Sequence, residues 1–188
     1  MNIIVEGLDR CGKSTLIKSL QSYLYNLEKV YPTQTLYYYN FKTSKEEMLR
    51  VSHLHYAEGF KTLIKSYHED KKHLLLDRFH LGEYVYSEKY RGYDGSYVFD
   101  FEKQYVNVFE DNTLLILLYD DAENLISRDD GLSLSVNIDD KNEEIQRFLT
   151  AFELTELKNK IKININNKTI EEVYNLVIKE VKTLKDFE

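Results

Sequence analysis

The chain has 188 residues, of which 43% are hydrophobic, and this is enough for one globular domain with its own core. The net charge is −7 without a long basic run, which argues against non-specific binding to duplex nucleic acid or to an anionic membrane. One cysteine excludes an internal disulfide, and no apolar run approaches the length of a membrane span. Because the N-terminus enters the first predicted strand directly, we expect a cytoplasmic protein with a single domain over residues 1–188.

The first predicted unit is a strand, a glycine-bearing turn and a helix. Ile3-Ile4-Val5 reads as a short buried strand, and an apolar stripe predicts a helix over residues 14–28. The turn between them fits the P-loop pattern G-x-x-x-x-G-K-[ST]. Its glycines allow successive backbone N–H groups to face phosphate oxygens, and the helix adds the positive end of its dipole. The predicted ATP-binding residues are Gly7, Leu8, Asp9, Arg10, Cys11, Gly12, Lys13, Ser14 and Thr15.

The residue types in this loop indicate phosphoryl transfer with Mg²⁺. Lys13 would supply a charge to the β- and γ-phosphates, and Ser14 a hydroxyl to the metal. Arg10 could reach the transferring phosphoryl, with an exposed ion pair as the alternative. Cys11 occupies a position where any small residue suffices, so we interpret it as a packing residue.

The middle of the chain predicts a second strand over residues 36–39 and a loop that carries Lys42. A long helix follows over residues 44–70, in which Gly59 is a candidate for a bend. Three leucines then form a buried strand that ends in Asp77. Since ligands of open parallel sheets bind at the carboxyl ends of the strands, we expect Asp77 to hold Mg²⁺ opposite Ser14, or else to cap the next helix. Arg78, beside it, could bind an acceptor phosphate bidentately.

The last part of the chain continues the alternation of strands and helices. Predicted strands cover residues 113–119 and 161–165, and predicted helices cover residues 81–86, 98–110, 122–128, 143–158 and a last segment capped by Thr169. In that last helix, the residues expected to face inward are Val173, Leu176, Val177 and Val181. The polar stretch 129–141 is typical of a mobile lid, and Arg128 at its border is a candidate ATP ligand or a surface ion pair. Together these elements predict an α/β fold with a five-stranded parallel sheet covered by helices on both faces.

Two motifs resemble those of the thymidylate kinases, which transfer a phosphoryl group from ATP to dTMP. Residues 6–15 look like the opening of that family, and Asp77-Arg78-Phe79 is similar to its Asp-Arg-Tyr signature. The resemblance implies a P-loop NTPase-type three-layer fold, ATP and Mg²⁺ as cofactors, and catalytic roles for Arg10, Lys13, Asp77 and Arg78. It also implies that Asp9 contacts the sugar hydroxyl of the acceptor and that Arg78 bridges the two phosphates. The family often forms homodimers, and tyrosine-rich helices could supply the interface here.

The residues that would recognise the base depart from the family pattern. Family members usually carry a Phe and an Arg on the helix before the Asp-Arg-Tyr strand, and this chain has His53-Leu54-His55-Tyr56-Ala57-Glu58 there. Tyr56 is the candidate for stacking on a base, with core packing as the alternative, and Arg50 is the nearest arginine. Lys42 could replace the arginine that holds the monophosphate, or it could be an exposed loop residue.

Three functions are therefore compatible with the sequence. The leading hypothesis is transfer of the γ-phosphoryl of ATP to a pyrimidine deoxynucleoside monophosphate, with dTMP to dTDP as the reaction. A deoxynucleoside or a modified pyrimidine is an alternative acceptor, and a phosphate-free acceptor would need Asp77, Glu83 or Asp9 as a base. The third hypothesis is a regulatory P-loop protein that binds nucleotides with little turnover.

Overall fold

The computed structural model describes residues 1–26, 44–68, 73–128, 131 and 133–184. The described strands are β1 (Asn2–Gly7), β2 (Leu74–Asp77), β3 (Thr113–Tyr119) and β4 (Lys160–Asn164). The described α-helices are α1 (Lys13–Asn26), α2 (Lys45–His68), α3 (His80–Tyr86), α4 (Tyr97–Phe109), α5 (Ala122–Ser127), α6 (Ile138–Leu154) and α7 (Ile170–Val181). A π-helical turn, Ser87–Arg91, extends α3, and a 3₁₀ turn, Glu110–Asn112, precedes β3.

The four strands form one parallel sheet in the order β2-β1-β3-β4. The predicted parallel α/β class is confirmed, but the described sheet has four strands and not five. The remaining predicted strand, residues 36–39, lies outside the described residues. Because every strand runs in the same direction, the residues that follow β1, β2, β3 and β4 all meet at one edge of the sheet.

Helices cover both faces of this sheet. Successive residues of a strand point to opposite faces, and Ile3, Ile4 and Val5 of β1 are all buried. Five consecutive residues of β3, from Leu114 to Leu118, are buried in the same way. On the sheet, α1 packs against α7 and α3 packs against α6. Among the described residues, no helix combines the length and the apolar character that crossing a membrane requires.

Helices α2 and α6 differ most from the predictions. Helix α2 runs without a break through Gly59, which is buried inside it. Helix α6 begins at Ile138 rather than at residue 143, because the Asn137 side chain caps it by accepting the backbone N–H of Asp140 at 2.8 Å. It ends at Leu154 rather than at residue 158. Consequently, the last four residues of the predicted lid, 138–141, belong to a helix.

The cap of the last helix is confirmed. The Thr169 hydroxyl accepts the N–H of Glu172 at 3.2 Å, and the Glu172 carboxylate accepts the N–H of Thr169 at 2.7 Å, so the pair forms a capping box. The predicted inward face is correct for Val173, Val177 and Val181 but wrong for Leu176, which is 39% exposed. Ile178 is buried instead.

Candidate active site

The P-loop backbone adopts conformations that its glycines permit. Gly7 has φ 141°, and a Cβ atom on it would lie 2.1 Å from the carbonyl oxygen of Leu118 in β3. Gly12 has φ 79° with open space around it, and its carbonyl oxygen accepts the N–H groups that start α1. Arg10 also has a positive φ, 68°, which is unusual for a residue with a side chain. The sharp turn that a phosphate-binding loop requires is therefore present.

Lys13 and Cys11 both bond to the carbonyl oxygen of Leu8 inside this loop. The Lys13 ammonium donates to that oxygen at 2.5 Å, and the Cys11 thiol donates to it at 2.8 Å. Burial lowers the pKa of Lys13, because the charged form loses its hydration, although the nearby carboxylates of Asp9 and Asp77 oppose this shift. Burial raises the pKa of the Cys11 thiol. Cys11 is therefore held as a neutral thiol, which agrees with its interpretation as a packing residue.

The end of β2 brings the second motif beside the loop. Val5 of β1 pairs with Asp77, and the Arg78 N–H donates to the Val5 carbonyl oxygen at 2.9 Å. The Arg78 guanidinium forms an ion pair with Asp9 and lies 5.5 Å from the centre of the Tyr86 ring. Strand pairing thus sets a carboxylate and a guanidinium opposite the P-loop.

A cavity of about 500 Å³ lies between the two motifs. We call it the P-loop cavity, and its lining residues are Asp9, Arg10, Gly12, Lys13, Ser14, Thr15, Asp77 and Arg78. It combines two hydroxyls, two carboxylates and three cationic side chains. Mg²⁺ takes oxygen ligands and is usually held by one or two carboxylates together with substrate phosphates, so this set of residues fits a polyphosphate with Mg²⁺.

A second cavity of about 480 Å³ shares Arg10, Gly12 and Thr15 with the first. We call it the β4–α7 cavity, because the loop between those elements lines much of it. Asn124, Asn166, Lys168 and Thr169 supply polar groups, and Leu16, Leu118, Ile170 and Val173 supply apolar ones. This mixture suits the base and sugar of a nucleotide whose phosphates reach the P-loop. Sequence reasoning did not identify residues 165–170 as part of a site, because they carry no nucleotide-binding motif.

Arg128 connects the two sides of the β4–α7 cavity. Its Nη1 donates to the carbonyl oxygen of Arg10 at 3.2 Å, and its Nε donates to the Asn124 carbonyl oxygen at 3.0 Å. It also forms an ion pair with Asp120, which is 2% exposed. Asp120 directly follows the predicted strand 113–119, and its place as an acid at the carboxyl end of a parallel strand could have identified it from the sequence.

The candidate base-recognition residues lie elsewhere. Arg50 is exposed on α2, where it donates to Glu47 at 2.6 Å. Tyr56 is buried among aromatic rings, 5.8 Å from the centre of Phe79 and 6.4 Å from that of Tyr97. Neither residue lines the two cavities, and their predicted substrate contacts stay predictions. Lys42 lies outside the described residues.

Glu83, one of the alternative bases, is engaged in a buried network. Its carboxylate accepts the hydroxyl protons of Tyr93 at 2.9 Å and of Tyr97 at 2.7 Å, and it forms an ion pair with Arg91. Glu83 is 1% exposed and lines neither cavity. It is therefore poorly placed to take a proton from an acceptor hydroxyl.

Known proteins share both the motifs and the fold. The thymidylate kinase family model matches residues 5–177. The structure is similar to that of the YorR protein from Bacillus subtilis in complex with phosphorylated GDP, with a TM-score of 0.70 and 20% sequence identity, over 97% of this chain and 96% of that chain. It is also similar to thymidylate kinase from Candida albicans, with a TM-score of 0.62 and 16% identity, over 97% of this chain and 91% of that chain. No curated protein sequence matches this chain.

The structural likenesses establish the fold, which is the P-loop fold of these kinases, and the family match covers both motifs. The matched region runs from β1 to the last helix and includes Lys13, Asp77 and Arg78. The family generally uses ATP and Mg²⁺. The chain therefore belongs to the thymidylate kinase family and is an ATP-dependent nucleotide kinase.

Proposed function

We propose that this kinase transfers the γ-phosphoryl group of ATP, with Mg²⁺, to a pyrimidine deoxynucleoside monophosphate, with dTMP to dTDP as the leading reaction. The observation that carries the proposal is the shared cavity of Lys13, Ser14, Asp77 and Arg78. Groups that bind a triphosphate and groups that suit an acceptor phosphate face the same space of about 500 Å³. Phosphoryl transfer needs little covalent chemistry from the protein, so positioning and charge are the main requirements.

The donor side uses the P-loop. Lys13 exchanges its bond to the Leu8 carbonyl oxygen for bonds to the phosphates, and Ser14 and Asp77 would hold the metal. When bound, Mg²⁺ neutralises charge on the phosphate oxygens. Arg10 stabilises the charge that spreads over the transferring group. The β4–α7 cavity receives the base and sugar of ATP.

The acceptor side uses the ion pair of Arg78 and Asp9. Their side chains are 30% and 34% exposed, so both can reach a ligand. Arg78 binds the acceptor phosphate with its planar guanidinium, and Asp9 accepts a hydrogen bond from the sugar hydroxyl, as the family resemblance implies. The monophosphate is favoured over a phosphate-free acceptor, because the Arg78 guanidinium can then bridge the donor and acceptor phosphates, as the family resemblance implies.

A coupled assay of ATP consumption tests the acceptor. The panel contains deoxynucleosides and deoxynucleoside monophosphates with thymine, uracil, cytosine, modified pyrimidine and purine bases. We expect turnover with pyrimidine monophosphates, fastest with dTMP. Turnover with nucleosides alone would refute the monophosphate acceptor, preference for a purine would refute the pyrimidine, and tight nucleotide binding without any turnover would favour the regulatory alternative.

Arg78→Lys tests the acceptor-phosphate contact, and Arg147→Lys is its matched control, because Arg147 is a similar guanidinium outside the site. Arg78 lies 5.5 Å from the Tyr86 ring centre, and Arg147 lies 5.4 Å from that of Tyr84, outside both cavities. Arg78→Lys should lower kcat/KM for the acceptor about tenfold or more, because lysine cannot form the bidentate contact. Arg147→Lys should leave it unchanged. Equal losses in both variants would mean that Arg78 serves only packing.

A further inference from the structure

The backbone at Arg78 is held in a conformation that residues with side chains rarely adopt. Its φ is 67°, in the left-handed region. The next residue, Phe79, is the N-cap of α3 and provides no side-chain hydrogen bond to the helix. Backbone conformations of this kind persist only where the surroundings hold them from several sides. The first turn of α3 therefore needs support from elsewhere in the chain.

Glu6 of β1 supplies that support. Its Oε1 accepts the backbone N–H groups of Phe79 at 2.8 Å, Leu81 at 2.9 Å and Gly82 at 3.4 Å. The neighbouring residue, Val5, accepts the N–H of Arg78 at 2.9 Å. Two consecutive residues of β1 thus hold the chain on both sides of Arg78. The carboxylate also faces the positive end of the α3 helix, which favours its charged form.

Glu6 has no direct access to a substrate. Its side chain is 0% exposed, and it lines neither cavity. Its second oxygen, Oε2, has no hydrogen-bond partner among the described residues. Burial raises the pKa of Glu6, and it outweighs His80, Arg78 and the backbone N–H groups, all of which lower that pKa. A buried carboxylate with one unpartnered oxygen is costly, so its position calls for an explanation beyond core packing.

We propose that Glu6 is a positioning residue for phosphoryl transfer. By fixing the backbone of residues 78–82, its carboxylate sets the direction in which the Arg78 guanidinium enters the P-loop cavity beside Asp9. This role rests on the proposed function, in which Arg78 binds the acceptor phosphate. Glu6 itself touches neither substrate, and it acts only through the Arg78 segment.

A double-mutant cycle in the full chain tests this role. Glu6→Ala should lower kcat/KM for dTMP about 100-fold, because small displacements of a positioning group cost that much, and should change the KM for ATP less than threefold. In the Arg78→Ala background, Glu6→Ala should lower kcat/KM by less than about threefold, since no guanidinium remains to be displaced. Full additivity of the two losses would overturn the proposal.

Conservative and control variants separate positioning from folding. Glu6→Gln keeps an oxygen that accepts the three N–H groups, so it should lose less than about fivefold in kcat/KM, from the missing charge at the helix N-terminus. Glu144→Gln alters a similarly buried carboxylate, whose partners Tyr90 and Lys141 lie outside residues 78–82 and line neither cavity. It should keep the wild-type kcat/KM per folded molecule, with the folded fraction measured by circular dichroism. A loss in Glu144→Gln equal to that in Glu6→Ala would show a general effect of core charge and overturn the proposal.

Amide hydrogen exchange gives a readout that needs no turnover. The amides of Phe79 and Leu81 should exchange at least about tenfold faster in Glu6→Ala than in the wild type, and near the wild-type rate in Glu6→Gln. If wild-type protein shows turnover but these amides exchange equally in all variants, the proposal fails and the proposed function stands. If the wild type turns over no acceptor, the proposed function fails, and so does the positioning role of Glu6 in catalysis. The exchange data then report only whether Glu6 holds residues 78–82.

Discussion

Arg10 combines a positive φ, 68°, with a position on both cavities, and two substitutions separate these properties. Arg10→Ala removes the guanidinium and keeps a residue with a Cβ in the left-handed conformation. Arg10→Gly removes the same guanidinium and also relieves the backbone. The hydrogen bond from Arg128 goes to the carbonyl oxygen of Arg10, so both variants keep it. The rate of phosphoryl transfer should therefore fall equally in the two variants, whereas the free energy of unfolding should differ between them.

The expected loss of activity follows from the charge of the transferring phosphoryl group. An arginine at that group contributes about 1,000-fold or more to kcat, which corresponds to about 4 kcal/mol of transition-state stabilisation. Both variants should lose at least that factor. The affinity for ATP should change less than about threefold, because the backbone N–H groups of the P-loop and Lys13 bind the ground-state phosphates.

The expected difference in stability follows from the backbone. A residue with a Cβ in the left-handed region is less stable there than glycine by about 1 kcal/mol, after the greater freedom of glycine in the unfolded chain is included. Arg10→Gly should therefore be more stable than Arg10→Ala by about 1 kcal/mol, or about 2–4 °C in Tm for a domain of this size. Urea unfolding gives the free energies directly.

Single-turnover ATP consumption and calorimetric titration of ATP complete the assay. If the affinity for ATP falls by the same factor as kcat/KM, Arg10 only binds ground-state phosphate and the transition-state role is refuted. If the glycine variant is no more stable than the alanine variant, the argument from backbone strain is wrong. The two conclusions are independent, because one rests on kinetics and the other on unfolding.

Two further predictions concern the loop glycines and a buried carboxylate. Gly7→Ala should lower the free energy of unfolding by about 3 kcal/mol or more, because its Cβ would lie 2.1 Å from the Leu118 carbonyl oxygen. Gly12→Ala, with open space around it, should lower the free energy of unfolding by about 1 kcal/mol. Urea unfolding measures both values, and similar losses in the two variants would contradict this reasoning. Burial raises the pKa of Glu102, but its contacts with His80, Thr155 and the Glu156 N–H outweigh burial and hold it below the ordinary value. The stability that this carboxylate contributes is therefore present above the ordinary pKa and lost as the pH falls through the lowered one, so between about pH 5 and pH 3 the wild type should lose more stability than Glu102→Gln; parallel pH profiles would refute this.

Several predictions from the sequence are not tested by the fold or by the similar proteins. A homodimer and a cytoplasmic location stay predictions, as do the single-domain boundaries and the lid function of residues 129–141. Residues 129, 130 and 132 of that segment lie outside the described part of the chain. The same holds for Lys42, the candidate for the monophosphate-binding arginine of the family.

The elements that the sequence predicted well are those in which the pattern is local. Residues 113–119 form β3 as predicted, because an unbroken apolar run between polar residues suits a strand buried on both faces. The capping box of Thr169 and Glu172 likewise needs only residues that are three positions apart. The predicted start of α6 lies five residues too late, because Ile138 is the one apolar residue among residues 138–142, so apolar periodicity is weak there, whereas the Asn137 cap fixes the true start.

The sequence by itself determined the phosphate-binding loop, because nine consecutive residues carry the spacing, the glycines, the lysine and the serine that the chemistry requires. Only the tertiary structure decided what lies against that loop. The partners of Glu6 are 73 to 76 residues away, the oxygen that excludes a side chain at Gly7 belongs to Leu118, and Arg128 reaches Arg10 across 118 residues. Contacts of this kind depend on the order and register of the strands, which no short stretch of sequence specifies.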